Sequence, residues 1–271
     1  MFWSMRRYSL LDQDDEEWQL DCWAWLIEKL GGLAALRDQP LIVPTTEFFK
    51  RPQSGDNPAE HYSAEIIRLT GMENWPFKLV EQEGSINPVV APLAIVQNVP
   101  PDPAGTFRVE RENEILISYS PDLLQSPEDL IVTFVHEISH GLVLNIGKEP
   151  PGGWECEEFA TDQTVAFLGF GVFGANSAFR FNQFSDNATG TQGWSYRRSG
   201  YLTQLEWSFA LAVFLSLRGD DTEQALRFLN DGPAASLTKC VQYLGKFPDC
   251  LDTIREQVSI LPNPEASADP V

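Results

Sequence analysis

The segment Thr133-Phe134-Val135-His136-Glu137-Ile138-Ser139-His140-Gly141-Leu142-Val143 holds two of the three histidines of a 271-residue chain. It lies in an apolar run, so a helix formed here is buried, and His136, Glu137 and His140 are buried with it. A buried polar group without a partner costs on the order of 1–3 kcal/mol. The fold must therefore give the three residues a common partner. Four residues of α-helix turn through about 400°, which places both imidazoles on one face, about 6 Å apart along the axis. Such a pair can grip one zinc ion, which supplies a water of lowered pKa and a polarised carbonyl. Glu137 sits about 100° round from His136, where it can take a proton from that water without being a ligand.

Local signals make this segment the middle of a helix. Ser126 is placed to cap it, Pro127 fits the first helical position, and Glu128 and Asp129 favour the positive dipole end. Asp129 is also placed to return the capping hydrogen bond. The helix runs to about Asn145, and Gly147 ends it. Upstream, the pattern predicts helices over Asp14–Leu30 and Ala59–Leu69 and short strands over Leu41–Val43, Phe77–Val80 and Val89–Val99. An antiparallel pair, Thr106–Val109 and Glu114–Tyr119, surrounds the turn Glu110–Asn113. The second strand of that pair reads either as a plain edge strand or as one that pairs with an extended peptide. Downstream, Lys148–Gly153 is a loop, followed by a helix from Glu155 to about Gly169 that continues towards Phe173. Gly169, Gly171 and Gly174 are placed for close helix packing, and the tryptophans for the core. Thr203-Gln204-Leu205-Glu206 is a capping box that launches a helix to Arg218, and two or three more helices follow to about Gln257.

A catalytic zinc needs a third protein ligand and an open position. A third histidine six residues beyond His140 is excluded, because Ile146 stands there, and no methionine lies downstream. His61, far upstream before a helix, reads as a surface residue. The remaining donors are carboxylates: Glu155, Glu157, Glu158 and Asp162 stand together after the loop.

His136-Glu137-x-x-His140 followed by Glu158-Phe159-x-x-Asp162 resembles the gluzincin metallopeptidases. It is similar to the CAAX-processing and HtpX peptidases and to the ImmA/IrrE group. The resemblance spans Glu114 to about Phe173. It implies that Glu158 is the third zinc ligand and that Asp162, one turn later, orients a ligand histidine. Helix geometry agrees, since residues four apart share a face and a metal-bound imidazole usually gives its other N–H to a carboxylate. Glu155 and Glu157 then read as first-turn acids that favour the helix dipole. For a developing oxyanion, the polar stretch 184–200 and the residue just after it offer Tyr196, Arg197, Arg198 and Tyr201.

The expected fold class is α+β: a zincin-like metallopeptidase core, with a small mixed sheet and an active-site helix, followed by a helical C-terminal part. The expected organisation is a flexible segment 1–16, a metallopeptidase domain 17–218, a helical extension 219–260 of the same domain, and a disordered tail 261–271. A formal net charge of −20 opposes nucleic acid and anionic membrane as partners, because like charges repel. No run reaches the roughly 20 apolar residues of a membrane span, and no export signal is visible, so Cys22, Cys156, Cys240 and Cys250 are expected as thiols. The functional expectation is a cytoplasmic, zinc-dependent hydrolase of peptide or protein substrates, with one Zn2+ per chain and Glu137 as general base. The alternative is a zinc-containing binding or regulatory protein that does not cut.

Overall fold

The computed structural model of the chain describes residues 9–82, 105–109, 115–185 and 201–259. In chain order these form α1 (Gln13–Lys29), α2 (Gly32–Asp38), α3 (Pro58–Leu69), β1 (Phe77–Glu81), β2 (Gly105–Val109), β3 (Ile115–Tyr119), α4 (Pro127–Asn145), α5 (Glu157–Val165), α6 (Gly171–Ser185), α7 (Gln204–Arg218), the short α8 (Glu223–Leu226), α9 (Asp231–Lys246) and α10 (Asp249–Ser259). The class is mixed α+β, mostly helical, with one small sheet. The strand expected over Val89–Val99 and the tail 261–271 lie outside the described residues.

The apolar run around the histidines becomes the central helix. Every residue of α4 from Leu130 to Gly141 is buried, as expected of a helix with no wide polar face. Ser126 stands at its cap position in extended conformation, but its side chain makes no capping hydrogen bond. Gly147 ends the helix with φ +66°. The capping box at Thr203 and Glu206 is present in full at the start of α7. Helix α9 packs on α7, and α10 packs on α1, so the C-terminal helices are joined to the core through these two. Trp23 is enclosed there between Phe167 and Phe214. Each such aromatic contributes about 1.5–3 kcal/mol by leaving water.

The sheet has the order β1-β3-β2. Strand β3 pairs parallel with β1 and antiparallel with β2. This corrects the edge-strand expectation for Glu114–Tyr119. That strand is central, with Ile115, Ile117 and Tyr119 buried, and among the described residues the edge strand beside α4 is β2. The two strands pair antiparallel as expected, but sequence alternation does not say which one gains a second partner.

Three further expectations change. Leu41–Val43 is not a strand. Ile42 donates its N–H to the Gly169 carbonyl at 2.9 Å, a single backbone bond that leaves the segment as buried coil. The helix expected from Glu155 starts as a 3-10 turn (Trp154–Cys156), becomes α5, and passes through one π-helical turn (Ala166–Phe170) into α6. Gly169 makes that bend at φ +89°, and a Cβ there would lie 2.0 Å from the Pro40 carbonyl oxygen. At Gly174 a Cβ would lie 2.3 Å from the Trp207 ring, so the glycine-rich stretch does permit close packing. The tryptophans divide: Trp23 and Trp207 are core, whereas Trp154 is 43% exposed. Helix α1 starts at Gln13. Glu16 is buried in α1 and accepts hydrogen bonds from Ser9 and Tyr243. All four cysteines are free thiols. Among the described residues no helix is long and apolar enough to cross a membrane.

Candidate metal centre

Helices α4 and α5 meet along their polar stretches. His136 and His140 project from the same face of α4, with ring centroids 4.8 Å apart. Glu158, in the first turn of α5, brings its Oε2 to 3.3 Å from His136 Nε2 and 3.5 Å from His140 Nε2. One atom from each of His136, His140 and Glu158 lies within 4.8 Å of the others, close enough to hold a metal ion.

The far side of each ring is occupied. His136 Nδ1 is 2.9 Å from Asp162 Oδ1, and His140 Nδ1 is 2.8 Å from Glu157 Oε1, with Thr161 Oγ1 at 3.3 Å. Carboxylates accept, so each Nδ1 carries the hydrogen and each Nε2 is left with its lone pair. Both lone pairs face Glu158 Oε2, a buried oxygen with no hydrogen-bond donor. With neutral imidazoles three electron-rich atoms converge there, and a cation, whether a proton on His136 or a metal ion, relieves that convergence. The two nitrogens and one carboxylate oxygen form a donor set suited to zinc. Four carboxylates surround two imidazoles here, which a divalent charge also compensates. The Glu158 side chain as a whole is 43% exposed although its Oε2 is buried, so this residue stands at the solvent edge of the cluster.

Electrostatics follow the same pattern. Burial works against a charge on His136, yet the accepting carboxylates of Asp162 and Glu158, with the nearby charge of Glu137, outweigh it and hold the pKa well above the usual imidazole range. The site thus favours positive charge at this point. Burial raises Asp162, and His136 and the Leu202 N–H partly offset the rise. That N–H reaches Asp162 Oδ2 at 2.9 Å, which ties the entry to α7 to the back of the site. Glu137 is 6% exposed. Burial pushes its carboxyl up, the two histidines pull it down, and Glu158 adds to the rise. It is not among the converging ligand atoms. Instead it faces β2, where a Cβ on Gly105 would meet Glu137 Oε1 at 2.9 Å and Thr133 Cγ2 at 2.7 Å.

The candidates for oxyanion stabilisation separate. Tyr201 packs on the site, its ring centroid 5.5 Å from that of His136. Burial, then the charges of Glu158, Asp162 and Glu137, raise its phenol pKa, so it remains an O–H donor. Tyr196, Arg197 and Arg198 lie outside the described residues. His61 is only partly buried and holds the Lys50 carbonyl at 2.8 Å, away from the cluster.

The role of Glu157 differs from the sequence expectation of a dipole-favouring acid. It serves His140 as Asp162 serves His136. The signal was available: 157/161 and 158/162 are two i,i+4 pairs, the first meeting the far side of His140 and the second placing Asp162 behind His136 and Glu158 between the two rings. Phe107 of β2, stacked on His140 at 5.9 Å, carried no such signal, because only the strand register places it there. No family model, curated protein or solved structure matches the chain.

Proposed function

We propose that this protein is a zinc-dependent peptidase with a zincin-like core. His136, His140 and Glu158 would hold the ion. Glu137 carries the reading, because it is buried beside the ligand atoms without being one of them. A purely structural zinc site has no use for such a carboxylate and usually closes its fourth position. Zinc in this site would polarise a peptide carbonyl and lower the pKa of a water to about 7. Glu137 accepts that water's proton, and the low polarity that raises its pKa brings it closer to neutrality, where a general base works best. It can then deliver the proton to the leaving amine. Asp162 and Glu157 hold the two imidazoles in the Nδ1–H form. Tyr201 donates its O–H towards the charge that develops on the attacked carbonyl.

The substrate is proposed to be an extended peptide. Strand β2 has a neighbour on one side only among the described residues, and its first residue touches Glu137. A peptide added along that edge passes the base and the ligands, with backbone hydrogen bonds fixing its direction. The test combines elemental analysis with digestion of a mixed-peptide library. We expect about one zinc per chain in the wild type and in Glu137→Gln, with cleavage by the wild type alone. Full zinc without cleavage in either protein, across broad libraries, would move the reading to a zinc-containing binding protein.

A further inference from the structure

Just past His140, the C-terminal half of α4 diverges from the sheet and leaves a cleft of about 480 Å³. Its walls include Trp75, Phe107, Ile115 and Leu144, with Gly141 at its floor. None of its described lining residues is charged, in a chain with 39 acidic and 19 basic residues. Its size falls in the range of pockets that enclose small ligands or large side chains.

Two observations tie the cleft to the metal centre. Phe107 is shared: one part of its ring stacks on His140, and its outer edge lines the cleft. Gly141, next in sequence to His140, keeps the space open. A Cβ on it would stand 3.2 Å from Trp75 Cζ3 and 3.4 Å from Phe107 Cε2, so a larger side chain would enter the space between the rings. Glycine inside an α-helix costs roughly 0.5–1 kcal/mol relative to alanine, and the cleft is what this position gains. At the mouth, Leu144 is 42% exposed, an apolar side chain left facing water at the end of a buried helix.

We propose that this cleft recognises a bulky apolar side chain, aromatic by preference, on the peptide substrate. This rests on the peptidase reading and names its substrate class. In a strand paired to β2, alternate side chains point to the face on which Phe107 lies. A side chain of such a peptide on that face meets Phe107, which also lines the cleft. The C-terminal end of α4 adds partial negative charge at Leu144 and Asn145, which disfavours an acidic side chain. Trp75 and Phe107 offer ring faces and edges for offset or edge-on packing with an aromatic guest.

The experiment uses the zinc-loaded full chain and blocked hexapeptides that vary at one position among Phe, Leu, Ala, Arg and Asp, with that position scanned across the peptide. At one position, kcat/KM for Phe or Leu should exceed that for Ala by on the order of 10²-fold, the scale on which a hydrophobic pocket discriminates. Gly141→Ala, the smallest change that enters the space between Trp75 and Phe107, should lower the ratio of kcat/KM for Phe to that for Ala, and an unchanged ratio counts against the cleft. Leu144→Lys, an exposed change that the fold tolerates, should lower Phe and raise Asp. Equal rates for Phe, Ala and Asp at every position, or a preference for Arg or Asp, would overturn the proposal. If no peptide is cleaved, the same series is titrated against Glu137→Gln and read by tryptophan fluorescence, since Trp75 lines the cleft. Tighter binding of Phe and Leu peptides then supports the cleft while the peptidase reading fails. Indifference to the varied residue overturns the cleft as well.

Discussion

Helix α4 has two working sides, and they are built on different principles. The side towards α5 is over-determined. Both Nδ1 atoms have a carboxylate, Asp162 is itself held by the Leu202 N–H, and Thr161 backs Glu157. The side towards β2 is spare. No hydrogen bond from the described residues fixes Glu137, Thr133 Oγ1 is buried without a partner, and Gly105 and Gly141 contribute no side chain. Ligands must not move, whereas a base has to meet a water and pass a proton on. The comparison teaches that one helix can fix its side chains firmly on one face and leave them loosely held on the other, which is what the proposed division between ligands and base requires.

The largest effects should come from the holding side. His140→Ala or Glu158→Ala should lose zinc outright, and stripping the wild type with a chelator should lower its melting temperature. A ligand at 1,000 times its Kd stabilises the folded state by about 4 kcal/mol, so the shift should be plain in a thermal melt. Full zinc in His140→Ala would show the ligand assignment to be wrong. Next comes the acting side. Glu137→Gln is nearly isosteric and should keep zinc and melting temperature while turnover falls on the order of 10²–10⁴-fold. Should Glu137→Gln lose zinc instead, the two sides of α4 are not separate in the way their contacts indicate.

The carboxylates behind the rings should rank below both. Asp162→Ala and Glu157→Ala should each weaken zinc binding roughly 10–100-fold without abolishing it. Asp162→Ala should be the worse of the two, because it also strands the Leu202 N–H at a fully enclosed position, whereas Glu157 is partly open. Competition with a chelator of known affinity ranks them. A silent Glu157→Ala would mean that Thr161 alone suffices to orient His140.

Much of the holding side was legible in the sequence because it is written in local spacing. His136 and His140 lie four apart, as do Glu158 and Asp162, and helix geometry carries both pairs to a common face whatever the rest of the fold does. Glu157 was legible by the same rule, but it was overshadowed by the simpler reading as a first-turn acid. The acting side was not legible. Gly105, Phe107 and Trp75 reach α4 through strand register and the order β1-β3-β2, which depend on contacts between distant segments. The alternation of Ile115 and Ile117 identified a strand without saying that it would be central. The bend at Gly169 was hidden for a related reason: its φ is set by the approach of Pro40, far away in the chain. The capping box at Thr203 and the terminating Gly147 transferred well, since their physics is confined to one helical turn, whereas the side-chain cap expected at Ser126 did not form.

The smallest effect, and the one that probes the spare side most directly, belongs to Gly105→Ala. The new Cβ would stand 2.7 Å from Thr133 Cγ2 and 2.9 Å from Glu137 Oε1, closer than atoms pack. Thr133 lies within buried α4 and cannot retreat, so the strand end or the Glu137 carboxylate must shift. A displacement of about 1 Å at a reacting group costs on the order of 10²-fold, so the smaller shift needed here should cost about tenfold in turnover. Zinc affinity should not change, because no ligand and no carboxylate behind a ligand touches Gly105. The paired readout is kcat together with chelator competition. A fall in kcat at constant zinc affinity places Glu137 against β2 as its working wall. A fall in zinc affinity would mean that strain at β2 reaches the histidines, and that the holding side depends on the sheet as well as on α5.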